Sequence, residues 1–148
     1  MRSRVSETNG REMQLKLNDL SAKIIGAAIA VHKELGPGLL ESVYQSCMMI
    51  ELNSRSVNVL GEVPISVVYR GIEVHKEGFR IDLLVEDKII VELKSVEKDL
   101  PIHKKQLLTY LKLTEKHLGL LINFNEEQLV HGVTRICNGL ENSLCDLE

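Results

Sequence analysis

The stretch RIDLLVEDKIIVELKS, Arg80 to Ser95, decides the fold because two apolar runs flank a short polar turn. A turn at Glu86 to Lys88 predicts an antiparallel hairpin with Val85 opposite Ile89. Residues two apart share a face of a strand. One face of this hairpin is therefore wholly apolar, and its members are Phe79, Ile81, Leu83, Val85, Ile89, Val91 and Leu93.

The other face of the predicted hairpin carries charge, with Arg80, Asp82, Leu84, Ile90, Glu92 and Lys94 as its members. The same register sets Asp82 opposite Glu92, and opposed acids repel unless a cation lies between them. A solvated sheet face is the simpler explanation of these charges. Leu84 and Ile90 nevertheless make the face half apolar, which is more typical of a cleft floor.

A metal-dependent hydrolase would use the polar residues of this face. Carboxylate oxygens of Asp82 and Glu92 suit Mg²⁺ or Mn²⁺, which neutralises a phosphodiester and activates water. Lys94 stands two residues after Glu92, where it can orient that water or stabilise developing negative charge. Spacing alone does not identify the substrate.

The remaining pattern predicts one α/β domain. A helical periodicity begins at Asn18 and stops at Gly36 to Gly38, and a second helix follows with an apolar face. Strands in meander, a helix after Pro101, a buried strand and an edge strand complete the order. We expect a mixed central sheet flanked by helices over 18–148, after a flexible polar segment at 1–17. The apolar face predicted for the second helix consists of Leu40, Val43, Cys47, Ile50 and Glu51.

Composition narrows the class of protein. The chain has 148 residues, 44% of them hydrophobic, and a net charge of -3, so nucleic-acid contact requires a local basic patch. Three cysteines without CxxC spacing predict reduced thiols. The first residues are polar, and the longest apolar run, Ile24 to Val31, is too short to cross a bilayer. We therefore expect a cytoplasmic protein without membrane contact.

Several motifs, taken in order, resemble the GxxExxY family of the PD-(D/E)xK nuclease superfamily. GPGLLESVY contains Gly38, Glu41 and Tyr44 in the spacing G-x-x-E-x-x-Y, and GFRIDLLV, VELKSV, HKKQLLTYLKL, GLLINF and HGVTRI follow it. The resemblance runs from Leu20 to Ile136 and implies a restriction-endonuclease-like core. Ile81 stands where a proline often precedes the first acid, as is common in this part of the superfamily.

The resemblance implies a role for each matching residue. Asp82 and Glu92 match the metal-binding acids, with the backbone carbonyl of Leu93 as a further ligand. Lys94 matches the catalytic lysine, and Glu41 matches an acid that related nucleases point into the metal site. Gln106 and Tyr110 match the Q-x-x-x-Y motif of the RecB-like branch. Together they imply a divalent-metal-dependent nuclease that hydrolyses DNA through a D-x9-E-x-K site, using Mg²⁺ or Mn²⁺.

Structural explanations remain open for several of these residues. Gln106 and Tyr110 lie four apart on one helical face, as polar residues at the rim of a core helix also do. Glu41 lies in a first helical turn, where the macrodipole favours any acid. Tyr44 shares a helical face with Glu41, and we predict that it contacts substrate near the site.

Basic residues after Lys94 predict a strip that follows the phosphates of a nucleic acid, although a solvated helix face explains them equally well. Lys98, Lys104 and Lys105 are its predicted substrate contacts, and the full strip consists of Lys98, His103, Lys104, Lys105, Lys112 and Lys116. Low aromatic content, 3%, argues against a base-stacking platform for single strands. The alternative function is a catalytically weak or inactive module that binds nucleic acid or protein. A homodimer and an unidentified protein partner also remain open.

Overall fold

The computed structural model describes residues 4–139, except the side chains of residues 4–8 and 75–78. Its elements are the helices α1 (Arg4–Leu35), α2 (Glu41–Ser54) and α3 (Pro101–Thr114), the strands β1 (Val59–Tyr69), β2 (Ile72–Val85), β3 (Ile89–Lys94), β4 (Leu118–Asn123) and β5 (Val133–Cys137), and a 3-10 turn at Leu129–Gly132. The predicted alternation of helices and strands is confirmed.

Within the described residues the strands form one sheet in the order β1-β2-β3-β4-β5. Only β3 and β4 pair in parallel, and α3 connects them as a crossover helix. The apolar residues of α1 and α2 pack on one face of the sheet, and those of α3 pack on the other. The predicted mixed sheet flanked by helices, a restriction-endonuclease-like α/β core, is therefore confirmed.

The predicted hairpin register is also confirmed where β2 and β3 pair. Leu83 lies opposite Val91, Leu84 opposite Ile90 and Val85 opposite Ile89. The turn between the strands includes Glu86 and Asp87, which both have positive φ. Acidic and amide side chains tolerate this left-handed conformation better than branched ones, which explains why the turn falls here.

The predicted apolar face is wrong at Phe79 and Ile81. Ile81 packs in the cluster beneath α3, and the Phe79 ring lies 5.1 Å from that of Tyr110 on α3. Leu83, two residues after Ile81, packs on the α1–α2 face instead. The alternation of side chains between the two sheet faces breaks at Asp82 of β2. On the neighbouring strand β1, Glu62 lies between the paired residues Gly61 and Val63 and has a φ of +52°. The side chains of both strands therefore change sheet face at this point.

The buried face predicted for α2 is wrong as well. Tyr44, Met48 and Leu52 are fully buried. Leu40 and Ile50, which belong to the predicted face, are 74% and 69% exposed. Both stripes have helical spacing, so periodicity alone could not choose between them.

Helix α1 begins at Arg4 in the structure, whereas the apolar pattern predicted a start at Asn18. Flexibility of segment 1–17 remains a prediction. No helix in the described range 4–139 is long and apolar enough to cross a membrane. The prediction of reduced thiols is wrong for Cys137, which is disulfide-bonded, whereas Cys47 is free.

Candidate active site

Asp82 marks the point where β2 and β3 separate. Its carboxylate Oδ2 accepts a hydrogen bond of 2.8 Å from the backbone N–H of Leu93. On the other side, the Gln45 amide of α2 donates to the backbone carbonyl of Asp82 at 3.2 Å. The side chain of Asp82 thus replaces a backbone acceptor in the ladder, and its position is fixed from both strands and from α2.

Glu92 is the most perturbed acid of the site. Its side chain is 8% exposed, and its Oε1 has no hydrogen-bond partner among the described residues. The pKa of Glu92 is raised from 4.5 to about 9, mainly by burial and next by the negative charge of Asp82 and a side-chain hydrogen bond with it, while the charge of Lys94 opposes the rise. Asp82 and Glu92 therefore form a close acid pair within reach of one lysine.

Tyr110 is the residue of α3 that lies beside the Asp82–Glu92 pair. Burial raises the pKa of the Tyr110 hydroxyl, and the negative charges of Glu92 and Asp82 add to the effect, whereas a hydrogen bond with Gln106 lowers it. The predicted Gln106–Tyr110 pair is thus a bonded pair on the helix face next to both acids. The two acids and the two α3 residues occupy one corner of the fold.

Lys94 is the last residue of β3 and is half-buried. Its backbone carbonyl accepts a hydrogen bond of 2.8 Å from Phe124 N–H, on the β4 side. Successive residues of a strand point their backbone groups to opposite sides. Leu93 directs its N–H to Asp82, so its carbonyl lies on that same side, away from β4.

Glu41 is exposed at the first position of α2. It borders a surface depression with Ser95, Glu97 and Asn125, residues of the loops that follow β3 and β4. Ser95 Oγ donates to the Leu39 carbonyl at 2.6 Å, which holds the start of α2 beside the end of β3. Glu41 therefore lies at the site end of the sheet without joining the carboxylates of Asp82 and Glu92.

Tyr44, predicted to contact substrate, is fully buried and stacks on Phe124 with ring centroids 4.3 Å apart. Its hydroxyl donates to the Gly36 carbonyl at 2.6 Å and accepts from Leu39 N–H at 3.1 Å. The structure corrects this assignment, because a side chain without accessible surface supports the loop before Glu41 and cannot touch a ligand.

Two residues near the site were missed by the sequence analysis, Gln45 and Asn123. Asn123 is 1% exposed and ends β4. Its side chain bonds both backbone groups of Val96, accepting at 3.2 Å and donating at 2.9 Å, and so shapes the loop after Lys94. The residues that Gln45 and Asn123 contact are distant in the sequence, so no local sequence pattern predicts these contacts.

The three predicted substrate contacts of the basic strip, Lys98, Lys104 and Lys105, are exposed. Lys98 lies in the loop after β3, and the other two lie in the first half of α3. All three follow the site along the chain. Their role toward a ligand stays a prediction.

The donor set of the corner suits a hard divalent cation. Two carboxylates and one carbonyl oxygen are the ligand types that Mg²⁺ and Mn²⁺ prefer, and the buried Glu92 Oε1 is open to a hydrogen-bond donor or a cation. No group of three or more His, Cys, Asp or Glu able to hold a metal occurs among residues 4–139 as described. The fit thus rests on two acids and the backbone.

Comparison with known proteins gives one match. The family model of the PD-(D/E)XK nuclease superfamily matches residues 18–136. No curated protein and no solved structure matches the chain.

Proposed function

The chain belongs to the PD-(D/E)XK nuclease superfamily, and on this premise we propose that it is a divalent-metal-dependent nuclease that hydrolyses DNA phosphodiester bonds. The observation that carries the proposal is the buried acid pair. Burial and the negative charge of Asp82 raise the pKa of Glu92, and Glu92 keeps an enclosed oxygen without a donor among the described residues. Such an arrangement is costly for stability alone and is explained by a bound cation.

In the proposed site, Asp82, Glu92 and the Leu93 carbonyl hold Mg²⁺ or Mn²⁺. The bound cation would neutralise charge on the scissile phosphate and lower the pKa of a water. Lys94, whose positive charge already acts on Glu92, orients that water or stabilises the developing charge. Gln106 and Tyr110 position the substrate beside the acids, with Tyr110 as a hydrogen-bond donor toward phosphate.

We further propose membership of the GxxExxY family and of its RecB-like branch. Tyr44 supports this because its hydroxyl fixes the loop that delivers Glu41, which gives the spacing of the motif a physical purpose. Glu41 is proposed as an additional metal ligand that approaches when metal and substrate are bound. The bonded Gln106–Tyr110 pair supports the Q-x-x-x-Y assignment.

DNA is the proposed substrate, and the exposed Lys98, Lys104 and Lys105 are its proposed phosphate contacts. A protein with a net charge of -3 lacks general attraction for polyanions. Binding must therefore depend on these few cations and on the metal, and it should weaken steeply as salt rises.

Cleavage assays test the proposal. We expect the chain to cut linear, nicked or single-stranded DNA with Mg²⁺ or Mn²⁺ and to stop when EDTA removes the metal. Lys94→Ala should lower the rate roughly a hundredfold or more, because one group that stabilises transition-state charge is lost. Lys33→Ala, which removes an exposed lysine of α1, is the matched control. Unchanged cleavage by Lys94→Ala would refute the mechanism.

A binding module without turnover is the second candidate function. The separation of Glu41 from the acid pair, and the lack of a three-carboxylate group among the described residues, favour it. Salt-dependent DNA binding without cleavage at millimolar Mg²⁺ or Mn²⁺ would support this candidate over the nuclease.

A further inference from the structure

Strands β1 and β2 continue as a two-stranded ribbon beyond the rest of the sheet. They pair with each other from Val63–Ile81 out to Tyr69–Ile72, whereas β2 pairs with β3 only at Leu83 to Val85. Because β2 and β3 are antiparallel, this β1–β2 ribbon (residues 63–81) extends past the end of β3 that carries Lys94. The candidate active site therefore lies at the foot of the ribbon.

The foot of the ribbon rests on the helix that contributes to the site. Ile65 and Ile81 pack in one cluster with Tyr110, and the Phe79 ring contacts Tyr110 at 5.1 Å. These contacts fix where the ribbon leaves the body of the protein. A molecule bound over Asp82 and Glu92 lies next to this base and can follow the ribbon outward.

The tip of the ribbon carries four exposed apolar side chains, one arginine and one exposed acid, Glu73. Arg70 and Gly71 both have positive φ and form its two-residue turn. The side chains around the turn are between 55% and 66% exposed, and they are those of Val68, Tyr69, Ile72 and Val74. The guanidinium of Arg70 lies 6.0 Å from the centre of the Tyr69 ring.

A cluster of exposed apolar side chains on one hairpin marks an interaction surface. Its chemistry matches duplex nucleic acid, because the major groove admits a two-stranded ribbon and proteins that bind the minor groove use arginine and insert apolar side chains between base steps. Aromatic and guanidinium groups together also suit stacking on a base. The tip lies about 11 residues along β2 from Asp82, so the two are at most roughly 35 Å apart, up to about one helical turn of duplex DNA, and the irregular pairing near Ile65 and Val67 shortens that distance.

We propose that the tip of the β1–β2 ribbon, residues Tyr69, Arg70 and Ile72, grips duplex nucleic acid within one helical turn of the phosphodiester bound at Asp82 and Glu92. This inference rests on the proposed function. It adds a nucleic-acid contact at the ribbon tip to the contact at the candidate active site. The ribbon then measures a minimum length of duplex beside the site. Long duplexes engage both contacts, and short ones engage only one.

Duplex-length dependence of binding tests the inference. Fluorescence anisotropy would follow labelled duplexes of about 8 and about 24 base pairs, shorter and longer than the reach of the tip. The parent protein carries Lys94→Ala and is measured with Ca²⁺, so that no cleavage interferes. The tip variants are Arg70→Ala and the double variant Tyr69→Ser/Ile72→Ser, and all three side chains are exposed, so the fold should tolerate their loss.

The parent should bind the long duplex much more tightly than the short one. Each tip variant should bind the long duplex roughly tenfold more weakly than the parent and the short duplex equally well. Arg70→Ala should also lower the salt slope of long-duplex binding by about one. Lys33→Ala and Val130→Ser, which remove an exposed charge and an exposed apolar side chain elsewhere, should change neither affinity.

Tip variants that bind both duplexes as the parent does would overturn the inference and would favour a protein partner for the tip. An equal loss on both lengths would overturn it too. A chain that shows the length effect but never cleaves DNA refutes the proposed function and leaves the inference standing. DNA cleavage by a chain whose tip variants bind normally would support the proposed function and overturn the inference.

Discussion

Glu92 and Asp82 show how a single pair of residues can carry a functional signal. Their carboxylates lie together in a corner closed by Tyr110, and burial holds the pKa of Glu92 at about 9. Without a cation, Glu92 therefore keeps its proton at neutral pH. A divalent cation would reverse this preference by stabilising both charges.

Stability of the metal-free protein should fall as pH rises from about 5 toward 9. The folded state holds the Glu92 proton up to about pH 9, whereas the unfolded chain releases it near 4.5. The folded state thus binds one more proton in this window, and the free energy of unfolding decreases by up to about 1.4 kcal/mol per pH unit. Thermal unfolding in EDTA at several pH values measures the slope.

Glu92→Gln should remove this slope, because a neutral amide does not titrate, and should raise the Tm at pH 8 in EDTA. Glu127→Gln, at an exposed position, is the matched control and should keep the slope. Parallel pH profiles for wild type and Glu92→Gln would show that Glu92 ionises normally in the folded protein.

At the scale of elements, the loop between α1 and α2 explains the spacing of G-x-x-E-x-x-Y. Gly36 and Gly38 have φ of +72° and +93°, which side chains rarely adopt. Tyr44, one turn into α2, reaches back to bond both ends of this loop. Glycine, acid and tyrosine therefore act together, since the loop sets where Glu41 begins the helix.

Tyr44→Phe should destabilise the protein by about 1–2 kcal/mol, because it removes two hydrogen bonds and keeps the stacking on Phe124. Chemical denaturation measures the change. Tyr69→Phe, which removes a hydroxyl from an exposed side chain, should change stability by less than about 0.5 kcal/mol. Equal effects of the two variants would contradict the role given to the Tyr44 hydroxyl.

At the scale of the whole molecule, the folded unit begins inside α1. Gln14 and Leu17 are the first buried residues of the described chain, and Arg135 of β5 donates to Asn18 and Ser21 at 2.8 Å. The family match likewise starts at residue 18. Among residues 9–13, the part of the chain before Gln14 whose side chains are described, none is buried.

Deletion of residues 1–12 should therefore lower the free energy of unfolding by less than about 1 kcal/mol. Deletion of residues 1–21 removes Leu17 and the Asn18 and Ser21 acceptors of Arg135, and it should cost several times as much, roughly 3 kcal/mol or more. Thermal and urea unfolding of the two truncated chains give the comparison. A large loss from the shorter deletion would move the start of the folded unit toward Arg4.

The sequence predicted those parts of the molecule whose signals are local. The β2–β3 register followed from a polar turn between two apolar runs, and the order of helices and strands from their periodicities. Leu40 and Ile50 of α2 were assigned to the core because two apolar stripes compete on that helix and only packing selects one. Ile81 was misplaced because the change of sheet face at Asp82 depends on Glu62 in the neighbouring strand. Gln45 and Asn123 act on segments far along the chain, which a pattern cannot show.

The hydrogen bond from Leu93 N–H to Asp82 gives the acid two separate duties, one in the backbone ladder and one in the charge of the corner. An alanine at position 82 would abolish both duties and would leave a buried N–H without an acceptor. An asparagine would keep a carbonyl oxygen for Leu93 and lose only the charge. Of the two exchanges at this position, Asp82→Asn is therefore the one that separates the charge of the corner from its architecture.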